Sequence, residues 1–308
     1  MSTNKAVPLT LRDFIHATEQ RFVRAELYFG HGTDNALDEA AWLATSTLAI
    51  PFDTLDAQAE RTLTQNELAT ANEFVEARIR TRKPLAYLLH EAWFAGLKFY
   101  VDERVLVPRS LTGDFIHEQF QPWVDAARVT RILDLCTGSG CIAIAIAHAF
   151  IEAQVDAADI SDDALEVTRI NIRQHRLEGR VHPVQSDLYQ GLVGRYDLIV
   201  TNPPYVDRTD MAGLPQEYRH EPALALASGE HGLDAIVRIL AGASNYLNPD
   251  GVLIAEVGNS CTSLAQTFPE VPFVWLTCAS GDESVFTLTA AQLKRHALEF
   301  AAALKAGV

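Results

Sequence analysis

The sequence predicts an α/β fold: a doubly wound, largely parallel sheet preceded by a helical segment. Two observations carry this. After about residue 115, short apolar runs alternate with helix-length amphipathic stretches, and three of those runs end on or beside Asp or Asn. Before about residue 95 no such alternation occurs, and the signals are helix caps followed by apolar residues at helical spacing.

Within the first half, Thr10 precedes Leu11, Phe14, Ile15, Phe22 and Val23, one face of a helix. Asp34 is placed to cap a second helix through Leu37, Ala41, Ala44 and Leu48. Thr64 and Glu67 form a capping box ahead of Leu68, Ala71, Val75 and Ile79. This half holds no dense cluster of catalytic residue types, which suits a small helical bundle over residues 1–92 used for recognition or support. Phe94–Val107 combines a glycine, aromatics and β-branched residues, and reads as a β-hairpin linker within 93–114 that ends at Pro108 and Arg109.

Residues 115–308 carry the sheet. Strands are expected at Ile132–Cys136, Gln154–Asp159, Val181–Ser186, Leu198–Thr201 and Val252–Val257, with Phe273–Leu276 and Ser284–Thr289 closing it antiparallel. Helices are expected over about 140–150, from a Ser161 cap to about His175, and near 232–247 and 260–267.

The chain has 308 residues, 48% hydrophobic, with a formal net charge of −15. Length and composition suit two globular domains. The charge argues against stable binding of nucleic acid through phosphate contacts and suits a basic protein partner. Cys136, Cys141, Cys261 and Cys278 form no CxxC pair and no His cluster joins them, so neither a metal site nor a disulfide framework is expected. The N-terminal MSTNKAVPLT lacks a signal-peptide core, and the apolar run 141–151 is too short to span a bilayer. A cytoplasmic protein with no membrane attachment is expected.

In doubly wound sheets, ligands bind beyond the carboxyl ends of the strands. The first such strand ends in DLCTGSG (134–140), where Gly138 and Gly140 let backbone approach a ligand. The second ends at Asp159, 19 residues past Gly140, a spacing at which a carboxylate can accept from both ribose hydroxyls of a nucleoside. The third ends at Asp187 and the fourth at Asn202.

A nicotinamide dinucleotide is the first competitor for such a loop. Ala143 stands where the third glycine of its fingerprint belongs, and residues 132–168 carry seven acidic residues with no Lys or Arg. A pyrophosphate fits that environment poorly. S-adenosylmethionine has no phosphate and carries a sulfonium and an amino group. Asp134 beside the loop either receives that amino group or caps the following turn.

The stretch LIVTNPPYVD (198–207) sets two prolines directly after a strand, flanked by Asn202 and Tyr205. Proline cannot donate to a sheet ladder, so the pair ends the strand abruptly. Methyl transfer to an amide nitrogen needs a lone pair that planarity delocalises. Asn202 offers a side-chain carbonyl for one N–H, and the Pro203 carbonyl, restricted to extended geometry by Pro204, can accept the other. Tyr205 offers a flat face for a planar group.

NPPY with a DxxTGSG loop resembles class I S-adenosylmethionine-dependent methyltransferases of planar amino groups, both adenine-N6 nucleic-acid enzymes and protein glutamine-N5 enzymes. PLAYLLHEAWFAGLKFYVDERVLVPRS (84–110), LDLCTGSGCIAIA (133–145), TNPPYVD (201–207), LPQEYRHEPALAL (214–226) and EVGNS (256–260) are together similar to the glutamine-N5 branch acting on large-subunit ribosomal protein three. The resemblance implies a Rossmann-like, seven-stranded, mostly parallel sheet with S-adenosylmethionine as cofactor. It implies methylation of a glutamine side-chain amide in a basic ribosomal protein, with release-factor glutamine methylation and adenine-N6 methylation as alternatives.

By position, it implies that Asp134, Cys136, Thr137, Gly138 and Gly140 form the cofactor loop and that Asp159 holds the ribose. Asp187 and Leu188 would border the adenine. Asn202, Pro203, Pro204 and Tyr205 would receive the glutamine, with Asn202 also beside the cofactor. Release-factor relatives have Gly in place of Cys136 and often an aromatic in place of Leu188. Residues 203–231 make a long connection that reads as a lid or substrate loop, carrying Tyr218, Arg219, His220 and Glu221. No role follows for His231.

Overall fold

The structure, a computed structural model, describes residues 9–307. The expectation about the N-terminal targeting segment falls largely on residues outside that range. The chain divides into two compact units: one ends at Glu91 and takes in Pro215–His220, and the other comprises Ala92–Leu214 and the chain from Glu221 onward.

The first unit is helical. Leu11–Arg24 starts at Thr10, whose hydroxyl accepts from Asp13 N while the Asp13 carboxylate accepts from Thr10 N. Gln65–Thr81 starts at the expected Thr64–Glu67 box. Between them Ala36–Thr47 is capped by Asn35, not Asp34: Asn35 is extended and its Oδ1 accepts from Asp38 N at 2.9 Å. Leu11, Phe14, Phe22, Leu43, Ala71 and Val75 form the buried face, whereas Val23, one of the expected core positions, is exposed. Arg78 is buried beside Val75, with Nε 2.7 Å from Glu39. Glu217, brought into this unit by Pro215–His220, is also fully buried; it accepts from Tyr28 N at 3.0 Å and lies 3.0 Å from Arg82 Nε. Arg78, Glu39 and Glu217 lie out of water, with the part-exposed Arg82 beside them, and they hold together only as a set, since removing one partner of such a buried pair costs about 3–5 kcal/mol.

The second unit opens with a hairpin, β1 (Ala92–Phe94) and β2 (Leu97–Phe99), turning at Ala95–Gly96, both of positive φ. It is shorter than expected: Tyr100–Val107 is irregular chain. The sheet contains β3 (Arg131–Leu135), β4 (Gln154–Asp159), β5 (Val181–Gln185), β6 (Tyr196–Thr201), β7 (Leu247–Glu256), β8 (Val274–Leu276) and β9 (Val285–Thr289). Its order is β5-β4-β3-β6-β7-β9-β8, parallel from β5 to β7 and antiparallel at β7–β9 and β9–β8. This is the seven-stranded class I methyltransferase arrangement.

Successive residues of each strand feed opposite faces. Ile132, Leu198, Val200 and Ile254 join the core beneath helix Cys141–Ala149, while Leu133, Ile199, Leu253 and Ala255 join the core beneath helix Asp234–Tyr246. Cys141–Ala149 is apolar on every side because it is sandwiched; all but its last two residues are buried. The C-terminal helices Ala290–Arg295 and Ala297–Ala306 are additions to the expected elements. The second of them is held chiefly by Phe300, packed edge-on to Phe268 at 5.2 Å.

Candidate active site

The strand order reverses at β3, with β4 on one side and β6 on the other, and the cleft opens at the carboxyl ends of these strands. It encloses about 1140 Å³, in part open to solvent, and lies wholly within the second unit.

The loop after β3 is tightly built. Cys136, Gly138 and Gly140 all have positive φ. A Cβ on Gly140 would lie 2.9 Å from the Thr168 side chain, so only glycine serves there without a shift. The Thr168 hydroxyl donates to Gly138 O at 2.8 Å, and Asn171 donates to Ser139 O at 2.8 Å. Asp134 is fully buried; its Oδ2 accepts from the Thr137 hydroxyl at 2.5 Å and from Ala143 N at 3.1 Å. It therefore caps the turn and does not line the cleft. Burial pushes its carboxyl up to about 7, against the opposing pull of the Thr137 and Ala143 donors.

Asp159, at the end of β4, does line the cleft. Its oxygens accept from Gly138 N and Ser161 N, each at 2.9 Å, so the carboxylate is fixed yet keeps acceptor capacity for two hydroxyls. Ser161, not Asp159, caps the following helix. Burial raises the Asp159 pKa, opposed by those backbone donors. Beyond β5, Asp187 and Leu188 line the cleft. Arg238 reaches Asp187 at 2.7 Å, and Leu188, at positive φ, is held by the Ser186 hydroxyl on its carbonyl at 2.6 Å.

At the end of β6 the Thr201 hydroxyl donates to Leu135 O at 2.9 Å and fixes the strand end against β3. Asn202 and Pro204 line the cleft. Asn202 Oδ1 is buried and has no hydrogen-bond partner. Pro203 is buried, and Tyr205 stands outside the cleft wall. Tyr205 is clamped: its carbonyl accepts from the Ser260 hydroxyl at 2.8 Å, and its hydroxyl lies 3.5 Å from Glu256 Oε1. A Cβ on Gly258 would fall 2.3 Å from the Tyr205 ring, and one on Gly232 would fall 2.3 Å from the Tyr205 carbonyl. Glu256 in turn accepts from the Ser110 hydroxyl at 2.6 Å and Leu111 N at 2.9 Å, and burial raises its pKa.

Of the residues expected at the cofactor, Cys136, Gly138, Asp159, Asp187, Leu188 and Asn202 line the cleft, while Asp134, Thr137 and Gly140 shape the loop from behind. Burial drives the Cys136 thiol pKa far up, so it serves as a small apolar wall. The lid segment splits. Tyr218 packs on His31, with ring centroids 4.5 Å apart, and His220 contacts Thr81 O, both within the first unit. Glu221 pairs with Arg109 at 2.7 Å and accepts from Val107 N at 3.0 Å in the second. His231 is exposed. Residue-level reasoning missed Arg104, Leu106, Asp234 and Arg238, which also line the cleft.

The residues present fit S-adenosylmethionine: a fixed carboxylate for the ribose, a glycine loop beside it, and an unpartnered buried carbonyl at the end of β6. Among the described residues no group of His, Cys, Asp and Glu could hold a metal ion.

Residues 118–217 match the methyltransferase small domain family. Two relatives are ribosomal protein uL3 glutamine methyltransferases, from Neisseria gonorrhoeae and from Neisseria meningitidis serogroup B. Each is 48% identical over 285 residues; the match covers 92% of this chain and 95% and 94% of theirs. With its seven-stranded sheet and NPPY cleft, the chain belongs to the ribosomal protein uL3 glutamine methyltransferase family of S-adenosylmethionine-dependent enzymes.

Proposed function

We propose that this protein methylates the side-chain amide nitrogen (N5) of a glutamine in large-subunit ribosomal protein uL3, and that it works in the cytoplasm, where that substrate is made. One observation carries the reading. Asn202 Oδ1 is buried at the cleft with no hydrogen-bond partner, a costly arrangement unless a ligand donor completes it. A primary amide brings such donors.

S-adenosylmethionine, when bound, supplies a methyl group on a cationic sulfonium. The chain's own residues prepare the nucleophile. Asn202 Oδ1 accepts one amide N–H and the Pro203 carbonyl the other, so the nitrogen is held and can pyramidalise toward the methyl. Both acceptors also stabilise positive charge on nitrogen as the N–C bond forms and the C–S bond breaks. The surplus amide proton then leaves to water. Fixing this geometry supplies most of the acceleration. The Ser260, Gly258 and Glu256 contacts fix Tyr205 just outside the cofactor cleft, as the platform for the plane of the incoming glutamine amide.

The alternatives, a release-factor substrate or an adenine-N6 target, fit less well. The relatives carry the uL3 name, and the net charge of −15 suits a basic protein rather than nucleic acid. Among the described residues no helix is long and apolar enough to cross a membrane. The test is to incubate the chain with methyl-labelled S-adenosylmethionine and separate pools of unmethylated ribosomal proteins, release factors and RNA or DNA. Label in the uL3 band supports the reading; label confined to release factor or nucleic acid refutes it.

A further inference from the structure

We infer that Arg104 holds the α-carboxylate of the cofactor's amino-acid arm. Among the described residues lining the cleft, the cations are Arg104 and Arg238. Arg238 is engaged by Asp187, on the side of the cleft formed by Asp187 and Leu188. Arg104 comes from the irregular chain after the hairpin, and that chain is anchored at both ends.

At its start, buried Asn171 accepts from Tyr100 N at 2.7 Å and donates to Tyr100 O at 2.9 Å and Ser139 O at 2.8 Å. It thereby ties this chain to the glycine loop. At its end, Glu221 accepts from Val107 N, and Glu256 accepts from Leu111 N beside Tyr205. Arg104 thus lies on the stretch joining the glycine loop to the NPPY support, the part of the cleft left for the amino-acid arm once the ribose is on Asp159.

Its side chain is already oriented. The Asp102 carboxylate accepts Arg104 Nε at 2.9 Å and Nη2 at 2.6 Å, and the Tyr100 hydroxyl steadies Asp102 at 2.9 Å. The Tyr100 hydroxyl lies against the guanidinium too, and among the described residues Nη1 has no carboxylate partner, which leaves that edge for one. The need for a cation is real, because Asp159, Asp187 and Asp234 also line the cleft and would repel an unmatched carboxylate. A guanidinium held by a second carboxylate is a preorganised receptor for one.

Titration calorimetry with two ligands tests this. S-adenosylhomocysteine carries the carboxylate; 5′-S-(3-aminopropyl)-5′-thioadenosine is the same molecule without it. Arg104→Gln should weaken S-adenosylhomocysteine by about tenfold or more, the range of a charge-assisted contact. The decarboxylated ligand should bind wild type and variant within about twofold, which also reports an intact nucleoside site. Arg104→Lys, which keeps the charge but not the fork, should fall between. Equal weakening of both ligands, or unchanged affinity for S-adenosylhomocysteine, would overturn the assignment and leave Arg104 as a partner of Asp102 alone.

Discussion

At the residue scale, the buried acceptor of Asn202 and the buried carboxyl of Asp134 make opposite demands. Asn202 Oδ1 lacks a partner until a donor arrives, so Asn202→Ala should damage the chemical step rather than cofactor binding. Single-turnover methyl transfer should fall on the order of 10²–10³-fold, as when one group of an oxyanion hole is lost. S-adenosylhomocysteine affinity should change little, because Asp159 remains. Asn202→Asp keeps an acceptor and should retain more activity than Ala. A wild-type rate in Asn202→Ala would leave NPPY as no more than a stiff turn. Asp134 titrates instead. Burial holds its carboxyl at about 7 in the folded protein, well above its ordinary value of 3.8. The folded state therefore binds this proton more tightly than the unfolded chain does. The contribution of Asp134 to stability is complete at acid pH and is lost as pH rises through that window. Asp134→Asn keeps an acceptor for Thr137 and Ala143 and removes the titration. Thermal melts of variant and wild type should diverge in the variant's favour as pH rises from 4 to 7; parallel curves would contradict the burial argument.

At the scale of elements, strand ends were legible and supports were not. Asp159, Asp187 and Asn202 follow from strand–helix alternation, because a doubly wound sheet puts the residues after its parallel strands at one edge. The Thr10 and Thr64 caps were legible too, being local patterns. Asn35 displaced Asp34 because two adjacent cap-type residues differ only in which one the chain leaves extended. The hairpin is shorter than its composition suggests because Tyr100–Val107, though rich in β-formers, hydrogen-bonds to Asn171 and Glu221 rather than to a neighbouring strand. Glu256 and Gly258 act through contacts between residues far apart in sequence, and Arg104, though held locally by Asp102, meets the cleft only through the fold; a single sequence displays neither. Gly258 gives the element-scale prediction. Its φ is +47° and an added Cβ would strike the Tyr205 ring. Gly258→Ala should lower kcat through a displaced Tyr205 while S-adenosylhomocysteine affinity holds. An unchanged kcat would show that Tyr205 placement does not limit the reaction.

For the whole molecule, the charge of −15 bears on how a basic substrate arrives. Opposite fields raise association rates and are screened by salt. The on-rate for uL3 should fall as ionic strength rises from about 0.01 to 0.1 M, over which the Debye length shrinks from about 30 to 10 Å. An on-rate flat across that range would remove electrostatic steering from the account. The glutamine assignment itself is tested most directly by the product. Unmethylated uL3 should be treated with the protein and S-adenosylmethionine, digested, and sequenced by fragmentation mass spectrometry. The account predicts a single added methyl on the side-chain amide of one glutamine. A methyl on lysine, on the N-terminal amine or on no residue of uL3 would contradict it.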